Sequence, residues 1–371
     1  MATSIRLMGL QLKNPVIVAA GPWARDGASL QRCIDAGAGA VITETVTMEA
    51  NANIYPRLYY DKNRLFNTKL YSNLHLEEWE EEIRSVDRKD AKLIVSIWGS
   101  SASELAYLAA KVERMGADAI EISISAPIGT RNQSINNHPV QIYEYIKAAV
   151  DAVRIPVMVK LSYEAAISPD ILTSIAETGA RAVSAIDALK GISGVDIEEQ
   201  RAQMPAYGGY TGTNIRPAAL ATTASLKQQT SFEICSVGGI STYHHVLEFL
   251  MLGAQAVQIA SVIHLHGYEV ISTIISDLTA WLLSHGHRDV SAISGVALST
   301  LQPFEDIKPI PMHARLTRDC GEPCEICHQS CIYGAVDRDE RGLIRISPDR
   351  CTGCGLCIDR CPLNLIRLVW D

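Results

Sequence analysis

Between residues 15 and 260 the chain repeats one pattern, a short apolar run followed by a longer amphipathic stretch. The runs are PVIVAA (15–20), AVIT (40–43), KLIVSI (92–97), DAIEIS (118–123), VMVKL (157–161), AVSAI (182–186), EICSV (233–237) and AVQIA (256–260). Continuous, β-branched runs of this length suit strands of a parallel sheet buried on both faces, and the intervening spacing suits helices. Eight strands alternating with eight helices predict a closed (β/α)8 barrel in preference to an open doubly wound sheet. A weak repeat agrees with this register. Gly37-Ala-Gly-Ala40, Gly116-Ala-Asp-Ala119, Gly179-Ala-Arg-Ala182 and Gly253-Ala-Gln-Ala256 each close a helix and open an even-numbered strand. The glycine suits a left-handed helix cap, so the repeat reads as structural.

The pattern stops near residue 302. Residues 303–318, with Pro303, Pro309 and Pro311, read as a linker. The barrel is therefore expected over 1–302 and a small second domain over 319–371. Composition narrows the function classes only a little. With 33 basic and 41 acidic residues among 371, the net charge of −8 leaves no electrostatic footprint for nucleic acid. The longest uncharged apolar stretch, 249–268, is broken by glutamines and histidines and reads as a helix feeding a buried strand, not as a membrane span. The N-terminus lacks an apolar core of signal-peptide length, so a cytoplasmic location is expected.

Eight of the ten cysteines fall in the last 52 residues. A disulfide scaffold belongs to exported chains, so cluster ligation is the better reading. Cys351-x2-Cys354-x2-Cys357-x3-Cys361-Pro362 is the bacterial ferredoxin spacing, and Cys320-x3-Cys324-x2-Cys327-x3-Cys331 is a variant one residue longer at its start. The two runs resemble a two-cluster ferredoxin-type domain. That resemblance implies one 4Fe-4S cluster on Cys320, Cys324, Cys327 and Cys361, and a second on Cys351, Cys354, Cys357 and Cys331.

In such barrels chemistry sits beyond the C-terminal ends of the strands. Lys160 ends an apolar strand, where a lysine is costly unless it meets a polar ligand or anion. Glycines follow strands six and seven. With NPVIVAAGPWA, Val159-Lys-Leu161, Tyr207-Gly-Gly-x-x-Gly-Thr213, Ile215-Arg-Pro217 and Val237-Gly-Gly-Ile240, the chain resembles the dihydroorotate dehydrogenase superfamily, and most of all the pyrimidine-reducing half of dihydropyrimidine dehydrogenases. The resemblance implies FMN at the barrel mouth. Ala20 and Gly21 would lie against the flavin and Lys160 would reach its N1/O2 edge. Gly212, Thr213, Gly238, Gly239, Ala260 and Ser261 would hold the phosphate. Thr43, Asn67, Ser123 and Asp187 stand at further family positions around the cofactor.

The departures from the family pattern bear on substrate. Where the family carries a Cys or Ser that exchanges a proton with substrate carbon, this chain reads Ser123-Ile-Ser125-Ala126-Pro127, and alanine has no transferable proton. The family's lysine after strand two is Glu44, and its Asn-x-Glu is Asn67-Thr68-Lys69. Glu44 and Asp187 disfavour an anion such as orotate unless Lys69 or Arg131 compensates. Candidates for acid–base work are Glu44, Lys69, Ser125 and His138, with Ser134 in the same loop. The expected activity is reduction or oxidation of a carbon–carbon bond in a small heterocyclic molecule, with electrons passing through the clusters. The alternatives are a dihydropyrimidine dehydrogenase-type subunit acting on uracil or thymine, and a non-catalytic electron-transfer subunit. No Gly-x-Gly-x-x-Gly unit remains for a nicotinamide, so ferredoxin or an NAD(P)H-oxidising flavoprotein is the expected partner. A homodimer or hetero-oligomer is implied by the resemblance.

Overall fold

The computed structural model describes residues 3–50, 55–61, 63–124, 128, 138–307, 311–320 and 324–370. Its contacts divide the chain into two compact units, Met1–Thr300 and Leu301–Asp371.

All eight apolar runs form strands. They are β1 (Val16–Val18), β2 (Ala40–Ile42), β3 (Lys92–Ile97), β4 (Ala119–Ser123), β5 (Val157–Lys160), β6 (Ala182–Ala185), β7 (Glu233–Val237) and β8 (Ala256–Ile259). Each pairs in parallel with its neighbour in sequence, and β8 pairs with β1 to close the barrel. One long helix follows each strand: α1 (Gly27–Asp35), α2 (Leu76–Ser85), α3 (Ala102–Arg114), α4 (Pro139–Asp151), α5 (Pro169–Ala176), α6 (Arg216–Gln229), α7 (Tyr243–Met251) and α8 (Glu269–Ser284). Local chemistry fixes several of their starts. Asp26 caps α1 by accepting from the Ser29 N–H at 2.8 Å, and Ser101 caps α3 by accepting from the Glu104 N–H at 3.2 Å. The four repeat glycines, Gly37, Gly116, Gly179 and Gly253, all have φ between 91° and 98°, as a left-handed helix exit requires.

Alternation along the strands sorts side chains into two layers. Outward residues such as Val41, Val95 and Val159 pack under the helices with Trp79 and Phe249, both fully buried. Inward residues Ile42, Ile94, Ala119, Met158, Ala182 and Ala256 fill the lower half of the barrel. A hairpin that the apolar pattern does not reveal, Ile5–Leu7 with Leu10–Leu12, closes this lower end. Its Leu7, Met8 and Leu12 join the inner cluster, and the Met8 N–H donates to Glu233 Oε2 at 2.7 Å.

A second unanticipated element is a four-stranded antiparallel sheet, in the order Leu189–Gly191, Gly208–Thr211, Arg64–Asn67, Leu58–Asp61. It joins the loops after β2 and β6, and Phe66 stacks on Tyr210 with ring centroids 5.1 Å apart.

In the second unit the stretch expected as a linker is partly structured. Met312–Leu316 pairs antiparallel with the C-terminal strand Ile366–Trp370, so those residues belong to the small unit's own sheet. Val336–Arg338 and Ile344–Ile346 form a hairpin, and two short helices, Ile326–Ser330 and Leu356–Arg360, each carry the third cysteine of a run, Cys327 and Cys357.

The hairpin plug supplies a stability test. Leu7→Ala removes a fully buried side chain and is expected to cost about 2–5 kcal/mol. The measurement is the urea midpoint, and an unchanged midpoint would contradict the plug's role.

Candidate active site and cluster cavity

Above the apolar half of the barrel the inward positions turn polar. Ser96 on β3, Glu121 on β4, Lys160 on β5, Ser184 on β6 and Gln258 on β8 are all buried. Glu121 Oε1 accepts from Ser184 Oγ at 2.7 Å and from Gln258 Nε2 at 2.6 Å. The Lys160 ammonium stands near three acceptors, Gln258 Oε1 at 3.4 Å, Asp187 Oδ1 at 3.6 Å and Glu121 Oε2 at 3.8 Å. Burial by itself would lower the Lys160 pKa. Glu121 and Asp187 outweigh that effect and hold it above the usual lysine range, so the side chain is a cation. All three of these contacts are long, so an ammonium with three donors has capacity for a further acceptor from the cavity.

That cavity opens at the C-terminal ends of the strands. Ala20, Gly21, Glu44, Asn67, Lys69, Ser123, Lys160, Asp187, Ala260 and Ser261 line it, so ten of the sequence candidates meet in one place. Leu58, Leu65 and Gly209 of the antiparallel sheet complete the wall, with Ile128, Trp23 and Tyr71. Tyr71 stacks on Trp98 at 4.8 Å, and burial, assisted by Asp187, pushes its phenol above the usual tyrosine range, so it is a neutral wall.

Glu44 and Lys69 form one feature. Their charged atoms are 2.7 Å apart and each side chain is 6% exposed. Lys69 also donates to the Tyr71 carbonyl at 3.2 Å. Burial raises the Glu44 pKa and the Lys69 charge opposes it, with a net rise. Both residues also border a second cavity beside Arg25 and Arg57, whose side chains are exposed.

Five cofactor candidates do not line the main cavity. Thr43 is fully buried and points outward between strands, where its Oγ1 accepts from the Ser96 N–H at 3.1 Å. Thr45 lines the cavity instead. Gly212, Thr213, Gly238 and Gly239 lie in the adjoining loops after the antiparallel strand Gly208–Thr211 and after β7, beyond its lining residues. Gly212, at φ +90°, has nothing within 4 Å of where a Cβ would stand. His138 is exposed at the N-cap of α4 and is not among the described lining residues. Ser125, Ala126, Arg131 and Ser134 fall outside the described residues. Glu121 was overlooked in the sequence. A carboxylate at the inward parity of an apolar strand is costly unless paired, and that signal was available.

In the small unit, one cavity is lined by Cys331, Cys351, Cys354 and Cys357 with Ala314 and Ala335. These are the four cysteines that the ferredoxin resemblance assigns to one cluster. The Ala314 N–H donates to Cys351 Sγ at 3.3 Å and the Ala335 N–H to Cys331 Sγ at 3.3 Å. Burial opposes ionisation of Cys331, but backbone N–H groups from Tyr333 to Val336 outweigh it and bring its pKa below the usual thiol value. Donors aimed at sulfur suit thiolate ligands of an iron–sulfur centre. Around Cys327, whose thiol burial pushes up, Cys324 and Cys361 are the neighbouring thiols that push it further. Cys320 is buried in the same small core.

Residues 2–282 match the dihydroorotate dehydrogenase family, and residues 344–367 match the 4Fe-4S binding domain family. The chain belongs to the dihydroorotate dehydrogenase family. Among its relatives is the catalytic subunit of dihydroorotate dehydrogenase B (NAD(+)) from Pyrococcus abyssi, 32% identical over 297 residues, covering 79% of this chain and 98% of that one. The protein of the same name from Methanothermobacter thermautotrophicus is 32% identical over 295 residues, covering 78% and 97%. The Eimeria tenella DHODH crystallised with ferulenol shares the fold, with a TM-score of 0.69 at 18% identity over 80% of this chain and 88% of that one. The family is one of FMN oxidoreductases, and the C-terminal match adds at least one 4Fe-4S centre. Among the described residues no helix is long and apolar enough to cross a membrane.

The buried pair yields a pH prediction. Because the Glu44 pKa is raised, the residue is protonated at low pH and loses its proton as pH climbs through that raised value. Lys69→Met removes the charge that opposes burial, so Glu44 should stay protonated to higher pH. The measurement is the carboxyl infrared band assigned by its loss in Glu44→Gln. An identical titration in Lys69→Met would refute the coupling.

Proposed function

We propose that this chain is an FMN-dependent, iron–sulfur-linked oxidoreductase that reduces or oxidises a carbon–carbon bond in a small, uncharged or cationic heterocycle. The observation that carries the substrate reading is the Glu44–Lys69 pair. Lys69 is the cation that would be expected to compensate for Glu44 and Asp187, and it is held by Glu44 at 2.7 Å. Asp187 adds an acidic group at the wall. Among the described lining residues the lysines are Lys69, held by Glu44, and Lys160, shared between Glu121 and Asp187, so a carboxylate substrate such as orotate would have to compete with carboxylates already in place. The relatives' name argues for dihydroorotate, and Ala126 at the family's proton-exchanging position argues against it.

FMN, when bound, exchanges a hydride with carbon and single electrons with iron–sulfur centres. The long contacts around Lys160 fit a hydrogen bond to the polar edge of the flavin ring, while Ala20 and Gly21 offer a small-residue face. Ala260 and Ser261, with the loops at Gly212 and Gly238, would hold the phosphate. Glu44 is the residue best suited to exchange the second hydrogen as a proton. It lines the cavity, burial raises its pKa, and the second cavity gives it access to solvent for reprotonation. Tyr71, Trp23 and the antiparallel sheet wall the main cavity on its other sides. The two cysteine sets would hold two 4Fe-4S clusters, which carry electrons to or from a ferredoxin or a flavoprotein subunit.

Anaerobically purified protein should carry one FMN and roughly eight iron atoms per chain. Its flavin absorbance should bleach at least tenfold faster with a neutral 5,6-dihydropyrimidine than with dihydroorotate. Glu44→Gln should keep the flavin and lose most of that rate. Absence of flavin after reconstitution would sink the enzyme reading, and faster bleaching by dihydroorotate would sink the substrate reading.

A further inference from the structure

The two-stranded sheet of the small unit has two unlike faces. Ala314, Ile366 and Leu368 face the small core around the cysteines, and Ala314 is also a wall of the cavity lined by Cys331, Cys351, Cys354 and Cys357. By strand alternation Arg315 and Arg367 point the other way. They are directly opposite one another across the antiparallel pair, and both are exposed. Like charges placed directly opposite destabilise a strand pair. A groove beside them is lined by Arg315, Arg318 and Arg345, with Asp319 as its acid. Arg345 is held by Asp319 at 2.8 Å and Asp339 at 2.9 Å, whereas among the described residues Arg315, Arg318 and Arg367 pair with no carboxylate.

Arg315 and Arg367 on this face, with Arg318 in the groove beside Arg315, form a local basic exception in a chain whose net charge is −8. We infer that this face docks an acidic one-electron carrier protein, whose carboxylates engage Arg315, Arg318 and Arg367. The inference rests on the reading of the cysteines as cluster ligands. Its physical sense is distance. The arginine face and the cluster cavity are opposite sides of the same pair of strands, with Ala314 between them, so a carrier seated on the arginines is one sheet thickness from the cluster. In each encounter one electron leaves the carrier's reduced centre and arrives on the cluster, or travels the reverse way. Two encounters supply the two electrons of one hydride equivalent, with the accompanying proton drawn from solvent. The face also gives specificity, because an acidic carrier is repelled elsewhere on the acidic surface.

The test uses the anaerobic holoprotein and a purified acidic ferredoxin, reduced beforehand and mixed by stopped flow, with bleaching of the cluster absorbance as readout. The wild-type second-order rate should fall steeply with added salt. Arg315→Glu/Arg367→Glu should be reduced about tenfold or more slowly at low salt and lose its salt dependence, while Arg315→Lys/Arg367→Lys retains most of the rate. Photoreduction by a deazaflavin, which needs no docking, should bleach all three proteins alike. Equal rates for the charge-reversed and wild-type proteins would overturn the docking face, as would an equal loss in the deazaflavin arm. A holoprotein with flavin but no cluster absorbance would overturn the cluster reading itself, a result distinguishable from both.

Discussion

The site depends on a charged lysine kept inside a barrel. Lys160 is 6% exposed, and a cation so placed would be expelled or neutralised without a counter-charge. Glu121 provides it, and Glu121 is in turn fixed by Ser184 and Gln258. Four strands therefore contribute one polar layer, and that layer separates the apolar lower half of the barrel from the cavity above. The hairpin plug and the repeat glycines keep the strands in the register that brings those four side chains level. A positive group in the wall of that cavity favours any ligand that gains negative charge on reduction, which is the electronic demand a flavin makes.

Around the cavity the same rule of compensation decides the substrate. Glu44 and Lys69 come from the two ends of the connection between β2 and α2 and pair with each other, so neither is free to act as a simple ionic hook. Breaking such a buried pair costs about 3–5 kcal/mol, because the remaining charge is left without a partner. On the proposed reading, a substrate would be selected by shape, stacking and hydrogen bonding against Tyr71 and the antiparallel sheet. The proton it needs can come from a carboxyl group whose protonated form burial favours.

Much of the fold was legible because parallel strands buried on both faces leave continuous apolar runs, and each run became a strand. The plug and the antiparallel sheet were not legible. The sheet pairs Asn67 with Gly209, and no local periodicity records a contact between such distant loops. The strand Met312–Leu316 was read as linker for the same reason, since its partner is the last strand of the chain. Within the site, family motifs found ten lining residues, yet Glu44 and Lys69 were read as two separate departures when they are one ion pair. Strand parity carried more information than was taken from it. Ala40 and Ile42 point inward, which turns Thr43 outward, and Ala119 points inward, which brings Glu121 with it. His138 stands at an exposed helix start, a place that loop position alone suggests.

The most direct measurement is the midpoint potential of bound FMN in Lys160→Met and Glu121→Gln, each compared with wild type at one pH. Removing the cation should move the potential negative and weaken FMN binding, whereas removing its counter-charge should move the potential positive with Lys160 still in place. Opposite shifts are the expected result. Potentials that stay at the wild-type value in both variants, with FMN bound, would contradict the role of the polar layer in tuning the flavin.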